Sequence, residues 1–367
     1  MFGLGQPKWR VELSDRPHPA CVSIILPVLN EARRIERCLD SLITQPEEVT
    51  EILVVDGGST DGTQKIIDRY HSLDARVRLV DATPMDNRWT GKAWGLNCGL
   101  QQSDPKSIWI LTVDADVWVS PNLVRSLLAH AEKTGVTTFS VATSQHLSGK
   151  LEALLHPAML TTLIYRFGSP GRAHSNLHKV QANGQCFLSP RRLLLETEAF
   201  RAAQASLCED ITIVRRLSEC GTAVGFYESH GLVDVTMYDN WRETWNNWPR
   251  SLPMRDQYFG WREIVGLIGI LLVQALPLPA FVLGIILRAP PWLLILSGFL
   301  LMMRIGVLFG LARAYPTKPW SYWLSPLADL PVILRIIQFA LRKHHSWRGR
   351  TYVRRKGGTF EPLRQSD

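Results

Sequence analysis

The segment Ile108-Trp-Ile-Leu-Thr-Val-Asp-Ala-Asp116 is an apolar run that ends in two carboxylates. A continuous apolar run of this kind is typical of a strand that is covered on both faces of a parallel sheet. We therefore expect a central strand over residues 108–113. Alternate residues of an extended chain share a face, so Asp114 and Asp116 can both reach one ligand at the end of this strand.

Strands and helices alternate on both sides of this segment. Shorter apolar runs predict three more strands, at residues 22–26, 52–55 and 77–80. The sequence predicts three helices. The first covers residues 31–43, the second follows a capping residue at Asp61, and the third begins at Ser120-Pro121. The alternation predicts an α/β fold with a doubly wound, mostly parallel sheet. Such sheets bind ligands beyond the carboxyl ends of their strands.

Acidic side chains follow three of the predicted strands. Glu31 follows the first strand, Asp56 the second, and Asp114 and Asp116 the fourth. Mg²⁺ and Mn²⁺ prefer oxygen ligands and are usually held by one or two carboxylates together with substrate phosphates. An isolated Asp-x-Asp is more often a turn or a helix cap. Carboxylates at three neighbouring strand ends favour a site for a metal and a diphosphate.

Two of these strand-end segments suggest contacts with a nucleotide. Asp56 could accept a hydrogen bond from the N–H of a base such as uracil, with a turn-forming aspartate as the alternative. Lys92 follows Gly91 at the start of a predicted helix, where an ammonium group suits phosphate oxygens. The alternative for Lys92 is an ordinary surface lysine.

Glu209 and Asp210 precede a helical pattern over residues 211–217. The helix dipole favours carboxylates at a helix start, so capping is one explanation for the pair. The other explanation is that Asp210 is a general base that removes a proton from an acceptor hydroxyl group. The acidic residues upstream favour this second explanation.

Composition and charge narrow the function classes. With 46% hydrophobic and 20% charged residues, the chain is not a disordered one. The net charge is +8, but the densest basic run lies at 342–356, after apolar segments. Such a run favours contact with anionic lipid head groups rather than nucleic acid, with a solvated tail as the alternative. Scattered cysteines and the lack of an apolar leader in residues 1–10 predict that the soluble part is cytosolic.

Three apolar segments, 264–287, 292–312 and 322–341, predict a C-terminal region that enters the membrane. Pro277 and Pro279 predict a kink in the first segment. The positions of basic residues favour a two-span hairpin and an interfacial or re-entrant third segment. Arg304 lies within the second segment. An arginine there either has a functional role, extends its charged group to the membrane surface, or pairs with a residue of another helix. We therefore expect a multi-pass protein of the cytoplasmic membrane, with its soluble domain on the cytosolic side.

The expected domain organisation has five parts. These are an N-terminal extension (1–20), a catalytic domain (21–250), an interfacial linker (251–263), a membrane hairpin with the third apolar segment (264–341) and a basic cytoplasmic tail (342–367).

In order and spacing, five motifs resemble those of family 2 glycosyltransferases of the GT-A fold, whose sheet is Rossmann-like. They are Pro27-Val-Leu-Asn-Glu31, Val55-Asp-Gly-Gly-Ser-Thr-Asp-Gly62, Gly91-Lys92, Asp114-Ala-Asp116 and Glu209-Asp210. The resemblance covers roughly residues 20–250. It implies an inverting enzyme that uses a nucleotide-diphosphate sugar, with UDP preferred, and Mg²⁺ or Mn²⁺.

The resemblance also implies roles for individual residues. Pro27, Leu29 and Glu31 would line the nucleoside pocket, and Asp56 would read the base. Asp114 and Asp116 would serve the ribose, the diphosphate and the metal, and Asp210 would be the base in catalysis. Lys92 and Glu209 are expected beside the substrate.

The region after the predicted base departs from the family pattern. Many members carry Gln/Arg-x-x-Arg-Trp there, whereas this chain has Trp241-Arg-Glu-Thr-Trp-Asn-Asn-Trp-Pro-Arg250. The departure argues against a processive polysaccharide synthase. Trp241, Trp245 and Trp248 would share a helical face that lies in the lipid interface, walls an acceptor channel or packs in the core. Arg250 could reach the diphosphate.

A transferase joined to membrane segments implies an acceptor dissolved in the bilayer. The tryptophan segment, the Arg304 segment and Trp347-Arg-Gly-Arg-Thr-Tyr352 resemble bacterial, notably cyanobacterial, glycosyltransferases of carotenoid and other terpenoid alcohols. They are also similar to hopanoid-associated and ceramide glucosyltransferases.

Two other functions stay open at this point. A polyprenyl phosphate could be the acceptor, with cations from Arg242, Arg250 and Arg255. Alternatively, the protein could be an inactive membrane scaffold that binds nucleotide sugar. The lone His230 is either an extra metal ligand or a structural residue.

Overall fold

The computed structural model describes residues 9–347, 350–355 and 357–363. Parts of two segments discussed above lie outside the described residues, namely residues 1–8, 348–349, 356 and 364–367. The strands are β1 (Val22–Val28), β2 (Val49–Asp56), β3 (Val77–Asp81), β4 (Trp109–Val113), β5 (Val117–Val119), β6 (Thr138–Ala142), β7 (Ser144–Gln145), β8 (Arg172–His174), β9 (Cys186–Pro190), β10 (Val224–Glu228), β11 (Val233–Val235), β12 (His344–Trp347), β13 (Arg350–Arg354) and β14 (Phe360–Pro362). The α-helices are α1 (Ile35–Leu42), α2 (Thr63–Leu73), α3 (Gly91–Gln102), α4 (Leu123–Thr134), α5 (Lys150–Phe167), α6 (Arg191–Glu196), α7 (Ala199–Ala202), α8 (Glu209–Glu219), α9 (Trp241–Asn247), α10 (Trp261–Ile270), α11 (Pro277–Ile286), α12 (Pro291–Leu311) and α13 (Asp329–Leu341).

An eight-stranded sheet with the order β3-β2-β1-β4-β9-β6-β10-β8 lies at the centre of residues 21–250. The strands from β3 to β4 run parallel, and β9 runs antiparallel to both of its neighbours. Successive residues of β1 face opposite sides of the sheet, so Ile24 and Ile25 are both fully buried but belong to different hydrophobic clusters. The predicted α/β fold with a doubly wound, mostly parallel sheet is confirmed.

Several helices begin later than the sequence pattern predicts. The first helix begins at Ile35 rather than at residue 31. The N-cap of α2 is Gly62, in the left-handed region with φ 97°, and not Asp61. The Asp61 carboxylate instead accepts hydrogen bonds from the N–H groups of Thr63 and Ala32, which joins the two loops at the sheet edge. Helix α4 begins at Leu123, so Pro121 precedes it.

The first predicted membrane segment is not one straight helix. Helix α10 passes through a π-helical turn, Leu271–Ala275, and the chain then bends by 43° before α11, which begins at Pro277. The bend agrees with the kink predicted from the two prolines. Two other helices are long and apolar enough to cross a membrane, Pro291–Ala314 and Trp320–Leu341.

These two helices differ in how much of them the protein covers. In the most apolar 18-residue stretch of each helix, the protein buries 17% of Pro291–Ala314 and 44% of Trp320–Leu341. Val332, Ile333 and Ile336 of α13 are fully buried in the cluster that α5 also joins. The third segment therefore packs along α5, whereas α12 keeps most of its apolar surface exposed.

Arg304 of α12 is buried and paired with Asp329 at the start of α13. Its Nε donates to Oδ2 of Asp329 over 2.8 Å, and its Nη2 donates to Oδ1 and to the Ser325 hydroxyl oxygen. Gln274 donates to the same aspartate. Of the three alternatives for Arg304, the structure therefore shows the helix-paired one.

The predicted basic tail includes a folded sheet. Strands β12, β13 and β14 pair antiparallel in that order. Tyr352 in the middle strand is fully buried. Sequence analysis treated this segment as a tail and missed the sheet, because aromatic and basic residues alternate there without a long apolar run.

Candidate active site

The carboxyl ends of β1, β2 and β4 meet at one edge of the sheet, because these strands are parallel. A cavity of about 2060 Å³ opens at this edge. Among the predicted site residues it is lined by Pro27, Leu29, Glu31, Lys92, Asp114, Asp116, Glu209, Asp210, Trp248 and Arg250. The structure thus brings ten residues, predicted from separate motifs, to a single site.

Asp116 has an unsatisfied polar atom in this cavity. Its Oδ1 is buried and finds no hydrogen-bond partner among the described residues. Burial, followed by the nearby carboxylates of Asp114 and Glu31, raises the pKa of Asp116 to about 7. A bound cation would stabilise this buried carboxylate, because it would offset the repulsion from Asp114 and Glu31 and give the unpartnered oxygen a ligand.

Lys92 links the two acidic motifs. Its Nζ lies 2.8 Å from Oδ1 of Asp114 and 2.9 Å from Oε1 of Glu209. Burial opposes the charge of the ammonium group, but the two carboxylates outweigh burial and raise the pKa of Lys92 well above its ordinary value. A protonated lysine therefore stands at the start of α3, between the end of β4 and the start of α8.

Asp210 lies in the first turn of α8 and faces the cavity. Its Oδ2 accepts a hydrogen bond from the Gly184 N–H over 3.3 Å, and its Oδ1 accepts one from Ile211. Burial, and then the Glu209 carboxylate, raise the pKa of Asp210 to about 6. A carboxyl group with this pKa can exchange a proton near neutral pH.

Gly184 lies close to both Lys92 and Asp210. A Cβ atom there would lie 2.9 Å from Nζ of Lys92 and 3.4 Å from Cβ of Asp210. A side chain at this position would require the Lys92 ammonium group to shift, whereas its contact with Asp210 would be an ordinary one. Gly184 therefore allows the loop before β9 to approach both side chains.

Asp56 is the exception among the predicted residues. It is fully buried and does not line the cavity, whereas its neighbour Gly57 does. Its carboxylate accepts hydrogen bonds from the Ser59 N–H and from Nε2 of Gln64. In this arrangement Asp56 holds the loop after β2, and its contact with a base stays a prediction.

The donor set fits a cation that substrate phosphates help to hold. The described residues contain no cluster of three or more His, Cys, Asp or Glu side chains that could hold a metal by themselves. Asp114 and Asp116 offer hard oxygen ligands, and Oδ1 of Asp116 is unpartnered. Two carboxylates completed by phosphate oxygens are a usual arrangement for Mg²⁺.

His230 is exposed at the rim of the cavity, with φ 51°.

Sequence analysis missed the polar residues that precede β9. Asn183 donates to Oε1 of Gln185, and the Thr143 hydroxyl donates to the same oxygen over 2.7 Å. Because β9 is antiparallel to β4, its beginning lies at the edge where β4 ends, as the pairing of Val113 with Cys186 shows. In the sequence, the segment Asn183-Gly-Gln185 precedes an apolar strand. This pattern places the three residues at the edge where β4 ends only if the strand is known to be antiparallel.

The tryptophan segment divides between core and cavity. Trp248 is 8% exposed and packs at 4.2 Å from the His156 ring, yet part of it lines the cavity. Trp245 is half-buried, with the Arg335 guanidinium group 5.4 Å from its ring centroid. Core packing thus accounts for most of the Trp248 side chain, and the remainder faces the cavity.

The cavity continues away from the carboxylates into an apolar arm. We define the apolar arm by Leu160, Ile164 and Phe167 of α5, together with residues 303–311 of α12 that line the cavity. Apart from the adjacent backbone of α12 itself, no heavy atom of the described residues lies within 4 Å of a Cβ atom built at Gly306 or Gly310. The two glycines therefore leave open space beside α12.

Comparisons with known proteins agree with this geometry. Residues 23–196 match the model of the family described as Glycosyl transferase family 2. Glycosyltransferase GlyA of Streptococcus pneumoniae serotype 4 is 31% identical over 106 residues, which are 29% of this chain and 14% of that protein. Glycosyltransferase GlyG of the same organism is 30% identical over 112 residues, 30% of this chain and 35% of its own length. The chain thus spans well under two thirds of these curated relatives.

A solved structure supports the fold. The mannosyltransferase PcManGT from Pyrobaculum calidifontis, in complex with GDP-Man and Mn²⁺, is 18% identical to this chain. The likeness covers 92% of this chain and 90% of that chain, with a TM-score of 0.55. It shows a shared GT-A-like, Rossmann-related fold.

Proposed function

We propose that this protein transfers a sugar, with inversion, from a nucleotide-diphosphate sugar to a hydroxyl group of a lipid dissolved in the membrane. The family 2 domain supports the class of donor. On the resemblance described from the sequence, the proposed donor is a UDP-hexose. The proposed acceptor is a carotenoid, another terpenoid alcohol or a sphingoid lipid.

The shape of the cavity is the observation that carries this proposal. One continuous space joins Asp116 and Asp210 to the apolar arm. A soluble sugar acceptor gains nothing from an apolar wall, whereas each buried methylene group of a lipid contributes about 0.8 kcal/mol. The arm therefore suits a chain whose hydroxyl end reaches Asp210.

Asp114 and Asp116 would hold a divalent cation together with the donor diphosphate. Bound there, Mg²⁺ or Mn²⁺ would neutralise charge on the departing nucleoside diphosphate. Lys92 adds a fixed positive charge whose position two carboxylates determine. Pro27 and Leu29 would pack against the nucleoside.

Asp210 would act on the acceptor. Its carboxylate takes the hydroxyl proton while the acceptor oxygen forms a bond to the anomeric carbon. The bond from that carbon to the diphosphate oxygen breaks, and its electron pair leaves with the nucleoside diphosphate. Attack from the opposite face inverts the anomeric configuration. The Gly184 N–H keeps the carboxylate oriented.

The C-terminal helices would bring this site to the inner face of a membrane. Helix α12 has 21 residues and a length of about 31 Å, which matches a hydrocarbon core of about 30 Å. Helix α11 has 10 residues and a length of only about 15 Å. Gly284 of α11 approaches Leu294 of α12, so the two helices form a close apolar hairpin. We propose that this hairpin is embedded in the membrane and that α13 lies along the interface.

A transfer assay tests the proposed function. Purified protein in lipid nanodiscs would be given UDP-[¹⁴C]glucose, Mn²⁺ and a terpenoid alcohol, and the label would be counted in the organic phase. We expect labelled lipid with the alcohol. Label that appears only in water-soluble products would overturn the lipid acceptor.

A polyprenyl phosphate is a second candidate acceptor. Arg250 and Arg313 both line the cavity, and Arg313 lies beyond the end of α12, next to the apolar arm. Arg242 and Arg255, the other cations considered from the sequence, do not line the cavity. Parallel assays with a terpenoid alcohol and with a polyprenyl phosphate separate the two acceptors, since only one should become labelled.

A further inference from the structure

The sheet of β12, β13 and β14 docks onto the catalytic domain. The Gly91 N–H donates to the Tyr352 hydroxyl oxygen over 3.4 Å, and the Phe360 N–H donates to the Ala205 carbonyl over 2.8 Å. A Cβ atom at Gly358 would collide with the Asp256 carbonyl oxygen, so the two backbones are in close contact. This sheet is therefore part of the folded site region.

Strand β13 places Arg350 in the wall of the cavity and Tyr352 against the start of α3. Arg350 and Tyr352 are two residues apart in a strand and so share a face. Tyr352 contacts the first residue of α3, immediately before Lys92. Arg350 lines the cavity and donates through Nη2 to the Gly57 carbonyl over 3.3 Å.

The contacts of Arg350 leave its charge uncompensated. Besides the Gly57 carbonyl, its guanidinium group contacts the Met85 sulfur. Among the described residues, no carboxylate forms an ion pair with it. By contrast, Lys92 is matched by two carboxylates. A half-buried guanidinium group with neutral partners is suited to an anionic ligand.

We infer that Arg350 binds the phosphate groups of the donor nucleotide and that the C-terminal sheet closes the donor pocket over them. The inference rests on the proposed function, since it assigns a residue to the same donor. Arg350 lies outside residues 23–196, so the family match does not supply this role. The start of α3, which carries Lys92, and Arg350 of β13 would then face the diphosphate from two elements.

Calorimetric titrations of UDP, GDP and uridine, each with Mn²⁺, test the inference on the full-length protein. Arg350→Ala should weaken binding of the nucleoside diphosphate about 10- to 100-fold, on the strength of charge-assisted hydrogen bonds. Binding of uridine, which lacks phosphate, should not change. Arg350→Lys should recover part of the loss.

Arg355→Ala is the matched control, because Arg355 lies beside the same sheet, is exposed and pairs with Glu361. It should bind like the wild type, and thermal unfolding should show that all variants are folded. Equal losses for UDP and uridine, or no loss with Arg350→Ala, would overturn the role of Arg350 alone. A wild-type protein that binds neither UDP nor GDP would overturn the proposed function as well.

Discussion

The acidic end of the cavity and the apolar arm are built from different kinds of contact. At the acidic end, Asp114 and Asp116 directly follow one parallel strand, and sheet register fixes where they lie. The apolar arm forms where α5 meets α12, which are far apart in the chain. On the proposed function, the sheet therefore positions the residues that carry the chemistry, whereas helix packing shapes the place of the acceptor. Changes at one end should leave the other end intact.

The largest effect is expected from the proposed base. Asp210→Asn should lower the rate of sugar transfer about 10²- to 10⁴-fold, because the amide cannot take the acceptor proton. Affinity for UDP should stay within about twofold, since the donor binds at other side chains. Rates and UDP titrations on the same preparation check this.

Glu219→Gln is the control, since Glu219 lies at the other end of α8, is exposed and pairs with Arg216. It should leave the transfer rate unchanged. An Asp210→Asn protein that still makes lipid product at the normal rate would mean that Asp210 is not the base. If cells with that variant kept their phenotype although transfer had stopped, the scaffold alternative would be favoured.

A second prediction concerns the support of the apolar arm. Arg304→Met removes one partner of a buried ion pair and leaves Asp329 buried without its cation. Loss of one partner of such a pair typically costs about 3–5 kcal/mol, so the unfolding temperature in detergent should fall markedly. Arg304→Met combined with Asp329→Leu should restore part of the stability.

The exposed Arg288 provides a comparison in the same region. Arg288→Met should unfold at nearly the wild-type temperature, because this arginine is exposed at the turn between α11 and α12. If Arg304→Met unfolded at the same temperature as Arg288→Met, the Arg304–Asp329 ion pair would not stabilise the packing of α12 against α13.

A smaller effect is expected inside the apolar arm. Gly310→Leu should place an isobutyl group in the open space there and raise the KM for a lipid alcohol about tenfold, since an apolar side chain would take the place of part of the acceptor. The affinity for UDP should not change. Gly269→Leu is the control, because that glycine also has open space around it but lies on α10, outside the cavity. Equal KM values for the two variants would rule out the arm as the acceptor site.

The smallest effect is a pH dependence at the acidic end. Asp210 must be ionised to accept a proton, and its pKa is raised to about 6 by burial and by Glu209. Lowering the pH from 7 to 6 should therefore reduce kcat/KM about twofold, with a steeper loss below pH 6. The assay needs saturating metal, and Asp210→Glu should displace the midpoint. A flat profile between pH 5 and pH 7 would contradict the assignment.

Much of the acidic end could be predicted because its residues are adjacent to strands. Apolar runs locate β1, β2 and β4 well, and parallel strands end at one edge, so Glu31, Asp114 and Asp116 were expected together. The position of a strand does not fix the direction of each side chain. Asp56 follows β2 as predicted, yet it turns to Ser59 and Gln64.

The remainder depends on contacts between distant segments. Arg304 was recognisable as unusual, but its pairing with Asp329 requires knowledge of how α12 and α13 cross. Asn183 and Gln185 reach the site only because β9 is antiparallel to β4. The contact of Arg350 with Gly57 joins β13 to the loop after β2, and no local sequence pattern encodes it.

The most direct test of the whole account is a crystal structure with UDP, Mn²⁺ and a long-chain alcohol. The account predicts that the diphosphate lies between Asp116 and Lys92, and that the alkyl chain runs along Gly306 and Gly310 with its hydroxyl group toward Asp210. UDP bound outside this cavity, or an alkyl chain bound only on the outer face of α12, would contradict it.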